Sequence, residues 1–128
     1  MIRTIIVEDE VLIRIALRSK LENAGCKVIG ESGDGAESIE LIKKDPPDLL
    51  LLDIKLHGKI SGIDILKEIN KTLFVPTVFI SAYDFEDYKD EIQCDNMIAA
   101  YDKPLSDIDI MGIIDAYNDY IKKNPNEV

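Results

Sequence analysis

Basic residues are scarce in this sequence, which has 15 Lys and Arg against 25 Asp and Glu and a formal net charge of −10 at pH 7. Nucleic-acid binding and attraction to anionic membranes both depend on clustered Lys and Arg, so we expect neither. The 7 glycines and 5 prolines among 128 residues are too few for a disordered or low-complexity chain. The composition therefore predicts one acidic globular domain.

Cysteines and long apolar runs are also scarce. The two cysteines, Cys26 and Cys94, are too few for a disulfide scaffold and lack the spacing of a metal site, so we expect free thiols. No apolar run approaches the roughly 18 residues of a membrane span. Glu8, Asp9 and Glu10 interrupt the N-terminal apolar stretch, which argues against a secretory signal. These absences predict a cytoplasmic protein.

Five short apolar runs alternate with segments of helical period. The predicted strands are 4–7, 26–29, 49–52, 77–80 and 98–101. The predicted helices are 13–24, 34–45, 85–94 and 106–121, with a third helix in chain order that runs through Ile65, Leu66 and Ile69. The four consecutive leucines at 49–52 are typical of a central parallel strand covered on both faces. The pattern predicts a flavodoxin-like α/β fold: a three-layer sandwich with a five-stranded parallel sheet of order 2-1-3-4-5 and five helices. We expect it to fill residues 1–123, followed by a polar tail at 124–128.

Reactive side chains follow the predicted strands. Glu8 and Asp9 follow the first strand, Asp53 the third, Ser81 the fourth and Lys103 the fifth. In such sheets ligands bind beyond the carboxyl ends of the strands, so these groups should converge. Neighbouring carboxylates need a cation or a proton between them, and oxygen ligands without Cys or His favour Mg²⁺. A lysine and a hydroxyl opposite the metal indicate a site for a phosphoryl group.

Four short motifs, each weak alone, lie in order at these strand ends. They are Ile-Ile-Val-Glu-Asp-Glu at 5–10, Leu-Leu-Leu-Asp at 50–53, Ser81-Ala82 and Lys103-Pro104. With the glycine-containing loop at 56–62, they resemble the receiver domain of two-component response regulators over essentially the whole chain. The resemblance implies a phosphoacceptor signalling domain that is not an enzyme beyond its own phosphorylation and dephosphorylation.

The resemblance also implies a role for each site residue. Asp53 would accept a phosphoryl group from a histidine kinase, a phosphotransfer protein or a small phosphodonor. Asp9, Asp53 and the backbone carbonyl of Lys55 would hold Mg²⁺, with Glu8 acting through water. Lys103, joined to Pro104 by a cis bond, would pair with the phosphoryl oxygens, and Ser81 would move toward the phosphate. Lys55 and Tyr83 would tune water access and so the lifetime of the phosphoryl group.

One position departs from the family pattern. The aromatic residue expected three positions before Lys103 is replaced by Ala100, and Tyr101 is its neighbour. Adjacent strand residues point to opposite faces, so Tyr101 cannot substitute unless the strand is bulged. We therefore expect Ser81 and the loop at 83–88 to carry the switch, with Tyr101 as the candidate aromatic member.

Most of the acidic excess lies between residues 84 and 119, here called the acidic segment. It holds 11 acids and two bases, Lys89 and Lys103. It covers the predicted fourth helix, fifth strand and much of the fifth helix, the face that similar domains use for partners. A solvated surface and a docking face for a downstream protein both explain it. The only histidine, His57, lies in a predicted loop and is expected to face solvent.

Two other function classes remain open. A phosphorylation-independent interaction module would not need the full set of acids, hydroxyl and lysine. A Mg²⁺-dependent phosphohydrolase of the haloacid dehalogenase type also uses an aspartate nucleophile, but it carries a second acid two residues later, where this chain has Lys55. A flavin carrier on the same fold is disfavoured because the acids at 8–10 would repel its phosphate.

Overall fold

The computed structural model describes residues 1–82, 90 and 96–125. Five parallel strands form one sheet of order β2-β1-β3-β4-β5, and within these ranges four helices cover its two faces. The elements are β1 Arg3–Val7, α1 Val11–Asn23, β2 Lys27–Ser32, α2 Gly35–Lys44, β3 Leu49–Asp53, α3 Gly62–Ile69, β4 Thr77–Ser81, β5 Met97–Asp102 and α4 Asp107–Lys123. The predicted sheet and strand order are confirmed. Except for residue 90, the helix predicted at 85–94 lies outside the described residues, so α4 is the fifth helix of the sequence prediction.

The central strand β3 separates two apolar clusters because its side chains alternate between the faces of the sheet. Leu50 and Leu52 pack with the residues of α2 and α3, whereas Leu49 and Leu51 pack with those of α1 and α4. All five residues of β3 are buried. Complete burial of each leucine contributes about 1.5–3 kcal/mol relative to exposure. No helix in the described part of the chain is long and apolar enough to cross a membrane.

Side-chain caps fix where three of the helices begin. The Asp34 carboxylate accepts a hydrogen bond from the Glu37 backbone N–H at 2.8 Å and starts α2, as the sequence predicts. Ser106 and Asp109 form a full capping box at the start of α4. Ser61 and its partner three residues later form a second capping box at α3, which the sequence analysis does not include. These caps hold the β3–α3 and β5–α4 loops beside the end of the sheet.

Gly62 allows the chain to turn back against the end of β3. Its backbone N–H donates to the Ile54 carbonyl at 2.8 Å, and a Cβ at this position would overlap the carbonyl oxygen of Asp53. We expect Gly62→Ala to lower the free energy of unfolding by about 2–3 kcal/mol, since the backbone of β3 has to move. Urea denaturation measures this change.

The control for this substitution is Gly25→Ala. Gly25 has φ +96° and no atom within 4 Å of a Cβ, so alanine there meets only the conformational cost, about 1 kcal/mol. A Gly62→Ala variant no less stable than Gly25→Ala would contradict the steric argument.

Candidate functional site

A cleft of about 220 Å³ opens at the carboxyl ends of the strands. It is lined by Asp9, Glu10, Asp53, Lys55, Leu56, His57, Ala82 and Lys103. These residues come from the last position of β3 and from the segments that follow β1, β3, β4 and β5, which the parallel sheet brings to one edge. The structure brings the acids and the lysine together at this edge, as predicted from the sequence.

Asp53 is the last residue of β3, and its side chain lies at the floor of the cleft. Only 2% of the residue is exposed. Its Oδ1 accepts a hydrogen bond from the Lys55 backbone N–H at 3.1 Å, and its Oδ2 accepts one from Lys103 Nζ at 2.7 Å. The N–H of Ile54 donates to the Ile80 carbonyl at 3.0 Å and ties this end of β3 to β4. The carboxylate is therefore held at a fixed position.

Lys103 follows β5 and is joined to Pro104 by a cis peptide bond. Its backbone N–H donates to the Ser81 carbonyl at 2.8 Å, which directs the side chain across the end of the sheet. The ammonium lies between the carboxylates of Asp53 and Glu8 and contacts both. Burial alone would lower the pKa of Lys103, but its hydrogen bonds to Asp53 and Glu8 raise that pKa above its ordinary value. Lys103 is thus a permanent cation inside the site.

Glu8 directly follows β1 and is completely buried. Besides its contact with Lys103, its Oε2 accepts a hydrogen bond from the Glu10 backbone N–H at 3.1 Å. Burial raises the pKa of Glu8 from 4.5 to about 7, because these contacts only partly offset the loss of hydration and Asp53 adds repulsion. The Glu8 carboxyl therefore changes its protonation state near neutral pH.

Asp9 completes a group of three carboxylates with Glu8 and Asp53, whose ligand oxygens lie within 4.8 Å of one another. Its Oδ2 accepts a hydrogen bond from the His57 backbone N–H at 2.8 Å and contacts the imidazole Nδ1. Partial burial raises the pKa of Asp9, but the bonds from His57 and a contact with Glu8 outweigh it and hold that pKa below its ordinary value.

The donor set of this group fits a hard divalent cation. All three side chains offer carboxylate oxygen, which Mg²⁺ prefers over nitrogen and sulfur. One ammonium, that of Lys103, faces Glu8 and Asp53, so the group keeps excess negative charge when all three acids are ionised. A divalent cation would remove that excess.

Three predicted site residues remain, of which Ser81 and Tyr101 are within the described ranges. Ser81 is the buried last residue of β4, next to Ala82 of the cleft. Tyr83 lies outside the described residues, as does the loop at 83–88. Tyr101 lies on the α1/α4 face of the sheet with its hydroxyl against Gly112, whereas Ala100 lies on the α2/α3 face.

The register shift between β4 and β5 does not change the faces of the sheet on which Ala100 and Tyr101 lie. The register with β4 shifts between Thr77 and Val78, at the start of both strands, and is regular from Ala99 onward. The alternation expected from the sequence therefore holds for Ala100 and Tyr101.

His57 is a residue at the site that was not predicted from the sequence. Its side chain is 90% exposed, as expected, yet it lies at the mouth of the cleft against Asp9, which is 10% exposed. The two residues are 48 positions apart, and no local pattern relates them. The only available signal is that the single histidine follows Asp53 by four residues.

The described part of the acidic segment presents its acids to solvent. Its exposed members are Asp90, Asp102, Asp107, Asp115 and Asp119. Asp107 pairs with Lys20 of α1 at 2.9 Å. Lys103, one of the segment's two bases, is turned inward to Asp53 and does not offset the exposed acids of the described part.

Comparison with known proteins identifies similar chains. The family model of the response regulator receiver domain matches residues 4–115. The transcriptional regulatory protein PdtaR of Mycobacterium tuberculosis is 34% identical over 113 residues, which cover 88% of this chain and 55% of PdtaR. This chain therefore spans about half the length of that curated relative.

Solved structures of the same kind superpose on the chain. The signal receiver domain of a modulated diguanylate cyclase from Desulfovibrio desulfuricans has a TM-score of 0.82 at 25% identity, covering 96% of this chain and 98% of that one. The response regulator PhyR from Brucella abortus has a TM-score of 0.85 at 27% identity, covering 97% of this chain and 50% of that one. With the match over residues 4–115, these likenesses show that the chain belongs to the response regulator receiver domain family.

Proposed function

We propose that the protein is a phosphoacceptor switch of a two-component system, in which Asp53 receives a phosphoryl group. The donor is a histidine kinase, a phosphotransfer protein or a small phosphodonor. A carboxylate oxygen of Asp53 forms the new bond to phosphorus, and the donor leaves with the electron pair of the broken bond. The observation that carries this proposal is the buried Asp53 carboxylate fixed 2.7 Å from the Lys103 ammonium at the end of an open cleft.

Mg²⁺ is the proposed cofactor, as receiver domains generally bind it at such an acidic pocket. Asp9, Asp53 and the backbone carbonyl of Lys55 would hold it, and Glu8 would act through water. The bound cation supplies positive charge for the phosphoryl oxygens. Of the two side chains that would bind the cation directly, Asp53 differs from Asp9 because it also contacts the Lys103 ammonium, so it would face positive charge from two sides.

Lys103 and Ser81 are the proposed partners of the phosphoryl group. The Lys103 ammonium now bonds Asp53 and Glu8, and we propose that it pairs with a phosphoryl oxygen once Asp53 is modified. Ser81 is the buried last residue of β4, in register with Asp102 on β5, and the residue after it, Ala82, lines the cleft. Ser81 moving toward the phosphate is the proposed switch, with Tyr101 as its candidate aromatic member. Lys55 and Tyr83 are the proposed rate-tuning residues.

The acidic segment is the proposed docking face for a downstream protein. Its exposed carboxylates fit a partner surface rich in Lys and Arg, and the same charge disfavours direct contact with nucleic acid or anionic membrane. We assign the receiver domain to residues 1–123 and a polar tail to residues 124–128. The proposed location of the protein is the cytoplasm.

The test is incubation with acetyl phosphate and Mg²⁺ followed by intact-mass measurement. We expect one phosphoryl adduct on the wild-type protein and none on Asp53→Asn. The matched control, Asp102→Asn, removes an exposed acid outside the cleft and should keep the adduct. An unmodified wild-type protein would favour the phosphorylation-independent interaction module. Rapid turnover of phosphomonoesters would favour the phosphohydrolase.

A further inference from the structure

His57 makes two contacts with one oxygen of a proposed metal ligand. Its backbone N–H donates to Oδ2 of Asp9 at 2.8 Å, and its imidazole Nδ1 contacts the same oxygen. The imidazole is 90% exposed, so burial does not hold it in this place. The contact with Asp9 is what orients the ring at the mouth of the cleft.

These contacts restrict how the Asp9 carboxylate can turn. Asp9 lies in the β1–α1 loop, where the carboxylate would otherwise rotate about its terminal torsion. With Oδ2 engaged by His57, Oδ1 remains available to the group formed with Glu8 and Asp53. A carboxylate that is already oriented loses less freedom when it binds a cation, so its affinity is higher.

The imidazole is not placed as a direct ligand. Among the described residues, the group whose ligand atoms all lie within 4.8 Å of one another consists of Glu8, Asp9 and Asp53. His57 lies beyond this group and reaches it through Asp9. The contact that links the imidazole to this group is the one with the Asp9 carboxylate.

We infer that His57 is a positioning residue for the divalent cation, because it fixes Asp9 by a hydrogen bond from the imidazole and ties the β3–α3 loop to the β1–α1 loop. This inference rests on the metal centre of the proposed function. It assigns a role in metal affinity to a side chain outside the acids, hydroxyl and lysine of the site. The backbone N–H of residue 57 stays when the side chain is changed, so substitution isolates the imidazole.

The test is the Mg²⁺ dissociation constant, measured by isothermal titration calorimetry at pH 8 on the full chain. We expect His57→Ala to weaken Mg²⁺ binding about tenfold, the lower end of the range for lost outer-shell hydrogen bonds. His57→Asn places an amide N–H close to the position of Nδ1 and should restore affinity to within about threefold of wild type. Lys59→Ala, an exposed substitution in the same loop, serves as the matched control.

The outcomes separate this inference from the metal centre itself. Wild-type binding that His57→Ala leaves unchanged overturns the role of His57 alone. Tighter binding by His57→Ala also overturns it, since the imidazole would then compete with the cation. Failure of His57→Asn to recover affinity overturns the hydrogen bond as the cause. Wild-type protein that binds no Mg²⁺ overturns the proposed metal centre, and the inference with it.

Discussion

Replacing Lys103 with Met is expected to lower the free energy of unfolding by about 3–5 kcal/mol at pH 8 without metal, the range for breaking a buried ion pair from one side. The Lys103 side chain is 7% exposed, and its ammonium contacts both Glu8 and Asp53. Methionine fills a similar volume but leaves two buried carboxylates without their cation. Urea denaturation followed by far-UV circular dichroism measures the loss.

Two conditions should restore part of this stability. Mg²⁺ replaces the missing positive charge beside Asp53, so it should stabilise Lys103→Met more than the wild-type protein. A lower pH should also help, because loss of the Lys103 contacts raises the pKa of Glu8 further, and the protonated Glu8 carboxyl no longer repels Asp53. Neither rescue is expected if the variant loses stability only through altered packing.

The control is Lys59→Met, which removes an exposed lysine from the β3–α3 loop and should change the free energy of unfolding by less than about 0.5 kcal/mol. A Lys103→Met variant within that margin of the wild-type protein at pH 8 would contradict the ion-pair argument. It would mean that the two acids reach another cation or share a proton.

The fold could be predicted from the sequence where side-chain pattern and backbone pairing agree. The leucines of β3 carry an unbroken apolar signal, and the strand appears where that signal predicts it. β2 is different, since it continues to Ser32 although the apolar run ends at Ile29. The Glu8 backbone N–H donates to the Ser32 carbonyl at 2.9 Å, so pairing with β1 extends this strand without apolar side chains. Backbone pairing of this kind leaves no composition signal.

The candidate site divides in the same way. The acids and Lys103 could be predicted to converge because parallel strands bring their carboxyl ends to one edge. From the sequence we expected Lys103 to pair with the phosphoryl oxygens. Its contacts with Glu8 and Asp53 follow instead from the path of the chain after β5. His57 was missed because its contact with Asp9 depends on how two loops meet. Contacts between residues of different loops cannot be predicted from local sequence pattern, because they depend on the three-dimensional arrangement of the loops.

Stability of the metal-free protein is expected to fall by roughly 3 kcal/mol between pH 5 and pH 8, at about 1.36 kcal/mol per unit of pKa shift. The cause is Glu8, whose pKa rises from 4.5 to about 7 on burial. Below pH 4.5 both the folded and unfolded chains carry this proton. Between 4.5 and 7 the folded protein keeps a proton that the unfolded chain has lost. The stability is lost as the pH rises through 7.

The other shifted groups of the site do not act in this window. Asp9 has a pKa below its ordinary value, so its stabilising contribution is complete above pH 5 and is lost only in acid. The pKa of Lys103 lies above its ordinary value, so its contribution is lost only in strong alkali. The change in the free energy of unfolding between pH 5 and pH 8 therefore reflects the titration of Glu8.

Mg²⁺ should reverse this slope, because the cation binds the ionised acids and competes with the Glu8 proton. The stabilisation by about 10 mM Mg²⁺ is expected to be small at pH 5 and to grow through pH 7. Urea denaturation at four pH values, with either EDTA or MgCl₂ present, measures both effects. Mg²⁺ stabilisation that is equal at pH 5 and pH 8 would contradict proton competition at Glu8.

Glu8→Gln should make the metal-free protein more stable than wild type at pH 8 and nearly independent of pH between 5 and 8. Glutamine keeps an oxygen that can accept a hydrogen bond from Lys103 but carries no charge to desolvate. Glu10→Gln is the matched control, because Glu10 is exposed at the same cleft and should keep the wild-type slope. If Glu8→Gln retained that slope, the pH dependence would belong to another group. If it lost the slope, the buried acid beside Lys103 would be the point at which proton and metal binding are coupled.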